Sequence, residues 1–503
     1  MSADPDSRWL VLKFGGTSVA TPARWRRVAA AARRALASGH RPILVCSAVA
    51  GVTDALTALA DAIARGDDSA SALARVESPN RRLVAALGVG SLEDIAPREL
   101  AALRAAAAAP TLDAPARAEL LALGELFSTR IGAAFLATAG FTPRWVDARD
   151  LLRAAPPHDG ATEADVFLAA RAVPDPDDAL AAELARGDHD VVITQGFLAR
   201  DDAGRTVLLG RGGSDTSAAT IAARVRAAGL EIWTDVPGLF TVDPRLHDDA
   251  RLIGALDHRE AEVLGALGAK VLHPRCLAPL RAQAIPVRIG WTDRPDVPGT
   301  LIASRGAAAD PGVKGIATRR GLCLVTVHRD PEWQPVGFMA AVAGVFRQHG
   351  LSMDLIASSP ATIRVTVDPA AFPSAEDGLD RLLDDLRRLT DHVEAETGLA
   401  SVSIVGHGAA ADAPHFAAAF VDAGVERAHL TCHAGDDTHV TWVVDADAAA
   451  PLAAALHDAH LARVALSPGF GPAWRALTTP AASPSPGPSL VPANAATRRG
   501  ASA

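Results

Sequence analysis

The sequence predicts an α/β protein: an open, mainly parallel sheet between helices, followed by two smaller strand-helix units. Three observations carry this. The apolar pair Val11-Leu12 ends a buried strand, the chain passes through Lys13-Phe14-Gly15-Gly16-Thr17-Ser18, and a helix opens at Thr21-Pro22, a capping residue followed by a first-turn proline. A second apolar run over 41–49 ends in small residues before Ala50-Gly51-Val52-Thr53-Asp54 opens another helix. Strand, helix, strand is a right-handed unit of a parallel sheet, with ligands expected at the strand carboxyl ends. Later in the chain, strands over 322–327, 363–367, 400–405 and 439–444, with helices over 337–349 and 415–423, give two successive strand-helix-strand-strand units.

The first glycine turn gains meaning from its lysine. Gly15 and Gly16 free backbone amides for close approach to phosphate oxygens. Such a turn is also common plain topology. Only three lysines occur in the chain, Lys13, Lys270 and Lys314, against a large excess of arginine. A lysine kept in this turn points to a need for a compact ammonium, which suits phosphate chemistry.

Composition narrows the class. With 503 residues, 49% hydrophobic and 21% charged, the chain has material for two to four domains. A net charge of −9 without a basic cluster argues against nucleic acid as a partner. No signal peptide or membrane span is expected. The four cysteines are far apart and read as reduced residues of a cytoplasmic protein.

Residues 55–140 read as helical, with an alanine-rich spacer helix ending at Pro110 and a later helix carrying Glu125 among apolar neighbours. That carboxylate is either exposed or, if buried, in need of a partner such as a ligand amine. A strand over 190–197 leads to a hairpin turning at Asp201-Asp202-Ala203-Gly204. The next strand enters Gly210-Arg211-Gly212-Gly213-Ser214-Asp215, where a bidentate cation, two glycines and an acid converge on one loop. Thr234-Asp235-Val236-Pro237-Gly238 then leads to Phe240, Asp243 and Arg245, which suit a nucleotide base and its phosphates. His273 before Pro274 reads as structural, since no paired acid or nucleophile is evident.

Taken together and in order, Lys-Phe-Gly-Gly-Thr-Ser, Ser47-Ala48 with Gly51-Val52-Thr53, Gly124-Glu125, Thr194-Gln195-Gly196-Phe197, the Gly210–Asp215 loop, Trp233-Thr234-Asp235-Val236-Pro237-Gly238, Asp243-Pro244-Arg245 and Gly268-Ala269-Lys270-Val271-Leu272-His273-Pro274 resemble the aspartate kinases. In motif detail the closest likeness is to those fused to diaminopimelate decarboxylase. The resemblance implies an amino-acid-kinase fold (a three-layer αβα sandwich) over 1–306. It implies two ferredoxin-like ACT domains over 315–397 and 398–468. Residues 469–503, rich in Pro, Ser and Ala, are expected to be disordered.

The same resemblance implies transfer of the ATP γ-phosphoryl group to the β-carboxylate of L-aspartate, the first step toward lysine, threonine and methionine. Lys13 would stabilise the transferring phosphoryl and Asp215 would orient Lys13. Ser47, Thr53, Glu125, Arg211, Gly212, Gly213 and Ser214 would form the aspartate site, with Ser47 also reaching toward nucleotide. Besides Lys13, ATP with Mg²⁺ would meet Phe14, Gly15, Gly16, Thr17, Ser18, Thr234, Asp235, Phe240, Asp243, Arg245, Lys270 and Val271, and no residue is assigned as a metal ligand. The family usually has tyrosine where Phe240 stands, and this chain has no tyrosine. An amino-acid effector, lysine or threonine or both, would bind around Gly337, Phe338, Met339, Ser352, Met353, Asp354, Ser358 and Ser359, where Pro360 replaces a frequent glutamate. Assembly as a homodimer or higher homo-oligomer through the ACT domains is implied. Lys314 is taken as a surface or boundary residue. The competing reading is an amino-acid sensor without catalysis, against which Lys13, Glu125, Arg211 and Asp215 all speak.

Overall fold

The strand β1 (Trp9–Phe14) is buried at every position, as a central strand covered on both faces must be. The computed structural model describes residues 8–157, 160–269, 272–304, 312–328, 336–372, 377–390, 392–464 and 469–478. The first part contains β2 (Arg41–Cys46), β3 (Pro143–Trp145), β4 (Val191–Gln195), the hairpin β5 (Leu198–Arg200) and β6 (Thr206–Leu208), β7 (Gly229–Thr234), β8 (Arg251–Ile253), β9 (Ala255–Asp257), β10 (Val287–Trp291) and β11 (Thr300–Ala303). Eight of these form one sheet in the order β3-β4-β2-β1-β7-β10-β11-β9. Every pair is parallel except β10 with β11. The order reverses around β1, so Phe14, Cys46, Gln195 and Thr234 all end at one edge, and the loops that follow them meet there.

Helices cover both faces of this sheet. Pro22–Ala37 starts as expected, with Thr21 accepting the Arg24 amide and proline in the first turn. The helix Ala114–Thr138 is long and apolar enough to cross a membrane by composition alone, but 72% of its most apolar stretch is buried inside the protein, so packing accounts for its character. Gly132 lets this helix lie against Trp25: a Cβ there would stand 2.1 Å from the indole. All four cysteines are free, as expected.

The second part is a single antiparallel sheet built from β12 (Gly315–His328), β13 (Ile356–Ser358), β14 (Thr362–Val367), β15 (Val393–Val405), β16 (Leu430–His433) and β17 (His439–Asp445), in the order β13-β14-β12-β15-β17-β16. Two of its cores interleave along the sequence. Ile316 at the start of β12 packs with Val402 and Ile404 at the end of β15 and with Leu452 and Leu456. Cys323, Val325 and Val327 at the end of β12 pack with Val342, Phe346 and Val393. The expected division at 397/398 is therefore corrected: the second unit begins at β12, and the first is inserted within it. The physical reason is length. Strands of 14 and 13 residues are each long enough to serve two cores. The register shifts near Gly321, whose φ of +76° permits the irregularity. The helix expected over 415–423 is a chain of short turns, Ala409–Asp412, Ala413–Phe416 and Ala417–Asp422.

Two further corrections follow. Lys314 stands at the boundary of the two parts, one of its two expected places, but it is buried, 4% exposed, and not on the surface; beside it burial raises the Glu260 carboxyl, and the Lys314 charge opposes that shift. Residues 469–478, assigned to the tail, form β18 (Phe470–Ala473) and the short helix Trp474–Thr478, because β8 offers an open edge. Residues 479–503 lie outside the described residues.

Candidate active site

A cleft of about 390 Å³ opens at the carboxyl ends of β1, β2 and β4. Lys13, Gly15, Gly16, Ser47, Thr53, Glu125, Gly212, Gly213, Ser214 and Asp215 all line it, so the structure brings together residues spread over two hundred positions. Lys13 Nζ lies 2.6 Å from Asp215 Oδ1, and both side chains are largely shielded from water. Ser47 Oγ donates to Ser214 Oγ at 2.9 Å, tying the β2 loop to the glycine loop. The helix Gly213–Arg224 begins at this point, so its first amides and positive dipole end face the cleft.

The glycine loop is held by contacts that exclude side chains. Gly212 has φ +68°, and a Cβ there would come within 2.5 Å of the His273 ring. His273 is thus a wall of the loop. A Cβ on Gly213 would strike Phe197 and one on Gly196 would strike Ser214. Phe197 itself adopts φ +71°, a costly conformation for an aromatic residue and one that clusters at functional sites.

Glu125 is 3% exposed, and its Oε2 has no hydrogen-bond partner. Burial pushes its carboxyl up to about 8, opposed by a hydrogen bond from the Ala48 backbone. A buried, half-satisfied carboxylate lining a cleft is matched to a cation that arrives with a ligand.

A second cavity, about 450 Å³, lies beside the first at the end of β7. It is lined by Thr234, Asp235, Phe240, Asp243 and Arg245, by Gly268 and Ala269, by Ile316 to Thr318 of β12, and by Trp474. Asp243 grips Arg245 through contacts as short as 2.6 Å, and the arginine is otherwise exposed.

The chain that forms these two cavities has clear relatives. Residues 8–290 match the amino acid kinase family. The lysine-sensitive aspartokinase 3 of Escherichia coli is 35% identical over 421 residues, covering 80% of this chain and 88% of the relative. The chain belongs to the aspartokinase family. Chloroplastic aspartokinase 1 of Arabidopsis thaliana is 30% identical over 79% of this chain and 70% of its own length. Among solved structures, E. coli aspartokinase III in complex with aspartate and ADP, described as the R-state, superposes with a TM-score of 0.71 at 31% identity, covering 90% of this chain and 99% of that one. The same enzyme in complex with lysine and aspartate, described as the T-state, gives 0.70.

In this aspartokinase several expected contacts are placed elsewhere. The Phe14 side chain is not at the cleft: it is buried and stacks on Trp233, with ring centroids 6.3 Å apart. Ser18 is also turned inward, its hydroxyl bonded to the Trp233 carbonyl and to Thr292 Oγ1. Both face the core: Phe14 lies on a strand buried at every position, and Ser18 is drawn inward by its hydrogen bonds. Thr17 is exposed, and its carbonyl accepts from Arg24. Arg211 is exposed and does not line the cleft, although its neighbours Gly210 and Gly212 do. Lys270 and Val271 lie outside the described residues. Sequence reasoning missed Trp474, and it gave no role to Ala48 or Phe197, although both lie within the motifs that carried the resemblance.

In the regulatory part, Gly337 starts the helix Phe338–Gln348. Phe338 is corrected from an effector contact to a core residue, 8% exposed and packed with Val342 and Val365. Met339, Ser352, Asp354, Ser358 and Ser359 are exposed, and Met353 is half-buried. Asp354 is engaged by Arg319 at 2.7 Å. The Ser359 hydroxyl accepts the amides of Ala361 and Thr362.

Proposed function

We propose that the 390 Å³ cleft is where this aspartate kinase brings the β-carboxylate of L-aspartate to the γ-phosphoryl group of ATP. The observation that carries this reading is the meeting of the Lys13–Asp215 pair and the half-satisfied Glu125 carboxyl in one cleft. Glu125 receives the substrate ammonium. Thr53, Ser47 and Ser214 supply hydroxyls to the polar remainder, and Arg211 swings in from the rim to meet the α-carboxylate, a bidentate pairing suited to guanidinium. The β-carboxylate, with a solution pKa near 4, is already ionised at neutral pH, so no general base is required.

The barrier lies in bringing two anions together. Lys13, held in place by Asp215, faces the charge that develops on the transferring group. The amides of Gly15, Gly16, Gly212 and Gly213 cradle phosphate oxygens. The cavity between Thr234 and Arg245 takes the nucleoside, with Phe240 against the base. The donor set suits a metal-nucleotide complex, since the protein offers a lysine, amides and hydroxyls where the phosphates lie, with Asp235 and Asp243 at the nucleotide cavity. Mg²⁺ bound with ATP would offset phosphate charge.

L-Lysine is the proposed effector, since the E. coli relative is lysine-sensitive and is seen with lysine. The exposed surface around Met339, Ser352 and Ser358 is the proposed binding region, and the edge strand β13, with Ile356 45% exposed, is the proposed contact between copies of a homo-oligomer. A cytoplasmic location and a tie to decarboxylase-fused kinases are proposed on composition and motif detail alone.

The test is ADP release from Mg-ATP with L-aspartate, with hydroxylamine trapping the acyl phosphate, repeated with L-lysine and with L-threonine. Aspartate-dependent hydroxamate supports the reading, and inhibition by lysine supports the effector. Amino-acid binding without turnover would favour the sensor reading.

A further inference from the structure

The segment after the last regulatory helix returns to the kinase part and closes one side of the 450 Å³ cavity. β18 pairs with β8, Phe470 opposite Ile253 and Ala473 opposite Arg251. The pairing is reinforced by Gly254 donating to the Gly469 carbonyl, Arg251 donating to the Gly471 carbonyl at 3.0 Å, and Trp474 donating its amide to the Ala250 carbonyl at 2.7 Å. Leu477 is buried against Leu252 and Val297, and Arg294 holds its carbonyl at 2.8 Å. This strap is anchored by backbone pairing and an apolar plug, so its position is fixed.

The consequence is at Trp474. Its indole meets Phe240 edge-on, with centroids 5.5 Å apart and planes at 86°, and lies nearly parallel to Trp291 at 6.4 Å. It is half-buried and lines the same cavity as Thr234, Asp235 and Phe240. Among the described residues its Nε1 has no hydrogen-bond partner. Two aromatic faces at right angles, one from the kinase part and one from the chain's far end, form a corner suited to a flat heteroaromatic ring, and the free indole N–H can meet a ring nitrogen.

We infer that Trp474, carried in by the C-terminal strap, is a wall of the adenine-nucleotide site and sets part of the affinity for ATP. The inference rests on reading the 450 Å³ cavity as the nucleotide site.

The full-length chain is assayed as Trp474→Ala, Trp474→Phe and Phe240→Ala, with KM determined separately for ATP and aspartate. Trp474→Ala is expected to raise KM for ATP about tenfold, the scale of one lost base-aromatic contact, while kcat and KM for aspartate change less than about twofold. Trp474→Phe recovers most of the loss. A Trp474→Ala enzyme with unchanged KM for ATP, beside a Phe240→Ala enzyme in which it rises, overturns the inference and leaves the cavity's assignment standing. Unchanged KM for ATP in both variants removes the assignment and the inference together. If Trp474→Ala raises both KM values equally with a lowered melting temperature, the strap is only a structural brace and the inference fails.

Discussion

Lys13 Nζ stands 2.6 Å from Asp215 Oδ1, joining the end of β1 to the first turn of the helix Gly213–Arg224. A pair this close and this dry fixes where the ammonium points, and it leaves the remaining donors of Lys13 to the cleft. Lys13→Ala is expected to lower kcat by about a hundredfold or more, the usual cost of removing one charge-stabilising donor. Lys13→Arg does not restore it, because a planar guanidinium does not fit the position of a compact ammonium beside Gly15. Single-turnover rates at saturating ATP and aspartate measure this. A rate within threefold of the parent in Lys13→Ala removes Lys13 from catalysis.

The Glu125 carboxyl gives a pH signature. In the empty site its pKa is raised to about 8 by burial, so it is mostly protonated at neutral pH. An ammonium can pair only with the ionised form, so aspartate binding expels a proton below pH 8. KM for aspartate is therefore expected to fall as pH rises from 6 toward 8, by up to about tenfold per unit, and to level off above. Glu125→Gln should flatten this profile and raise KM throughout. A parent enzyme whose KM for aspartate is flat across that range contradicts the assignment.

Gly212→Ala tests the loop. The substitution meets both a left-handed φ of +68° and the ring of His273, and it is expected to cost about 1–3 kcal/mol of local strain. Because the loop carries Gly213 to Asp215 into the cleft, kcat/KM should fall more steeply than thermal stability. Gly212→Ala with His273→Gly removes both the ring and the Cβ that the new methyl would meet, but not the backbone strain, so partial recovery is expected. Full recovery would mean that the φ value is immaterial.

The junction of the two parts is polar. His407 reaches the Asp257 carboxylate, which with Glu260 caps the helix His258–Leu267. His407→Ala leaves that buried carboxylate short of a partner, and a loss of about 1–3 kcal/mol in unfolding free energy is expected. Denaturant melts of parent and variant measure it, and coincident midpoints would show the contact to be idle.

The 390 Å³ cleft was legible because its residues follow strand ends, where glycine, lysine and acid have few structural reasons to coincide. What sequence does not carry is the direction of each side chain within such a turn. Phe14 and Lys13 are neighbours, yet one packs on Trp233 and the other enters the cleft. Arg211 belongs to the right loop and stays at its rim. In the regulatory part the strands were readable from their apolar runs, but a linear reading cuts domains in order, and β12 and β15 each serve two cores. The strap was hidden by its composition. Phe470 and Trp474 were the signals in a stretch rich in Pro, Ser and Ala, and their meaning depends on the open edge of β8, far away in sequence.

β12 begins at the wall of the 450 Å³ cavity, with Ile316, Ala317 and Thr318, and continues without a break to His328 in the other core. Neither regulatory half owns a complete set of strands, so neither can be excised or exchanged as a cassette. Trimming from the C-terminus takes away the strap and the partners of β12 before it reaches the first unit. Deleting the first unit severs the strand that lines the kinase cavity. A change to the second part that spares the kinase cavity is therefore a point substitution within an intact chain.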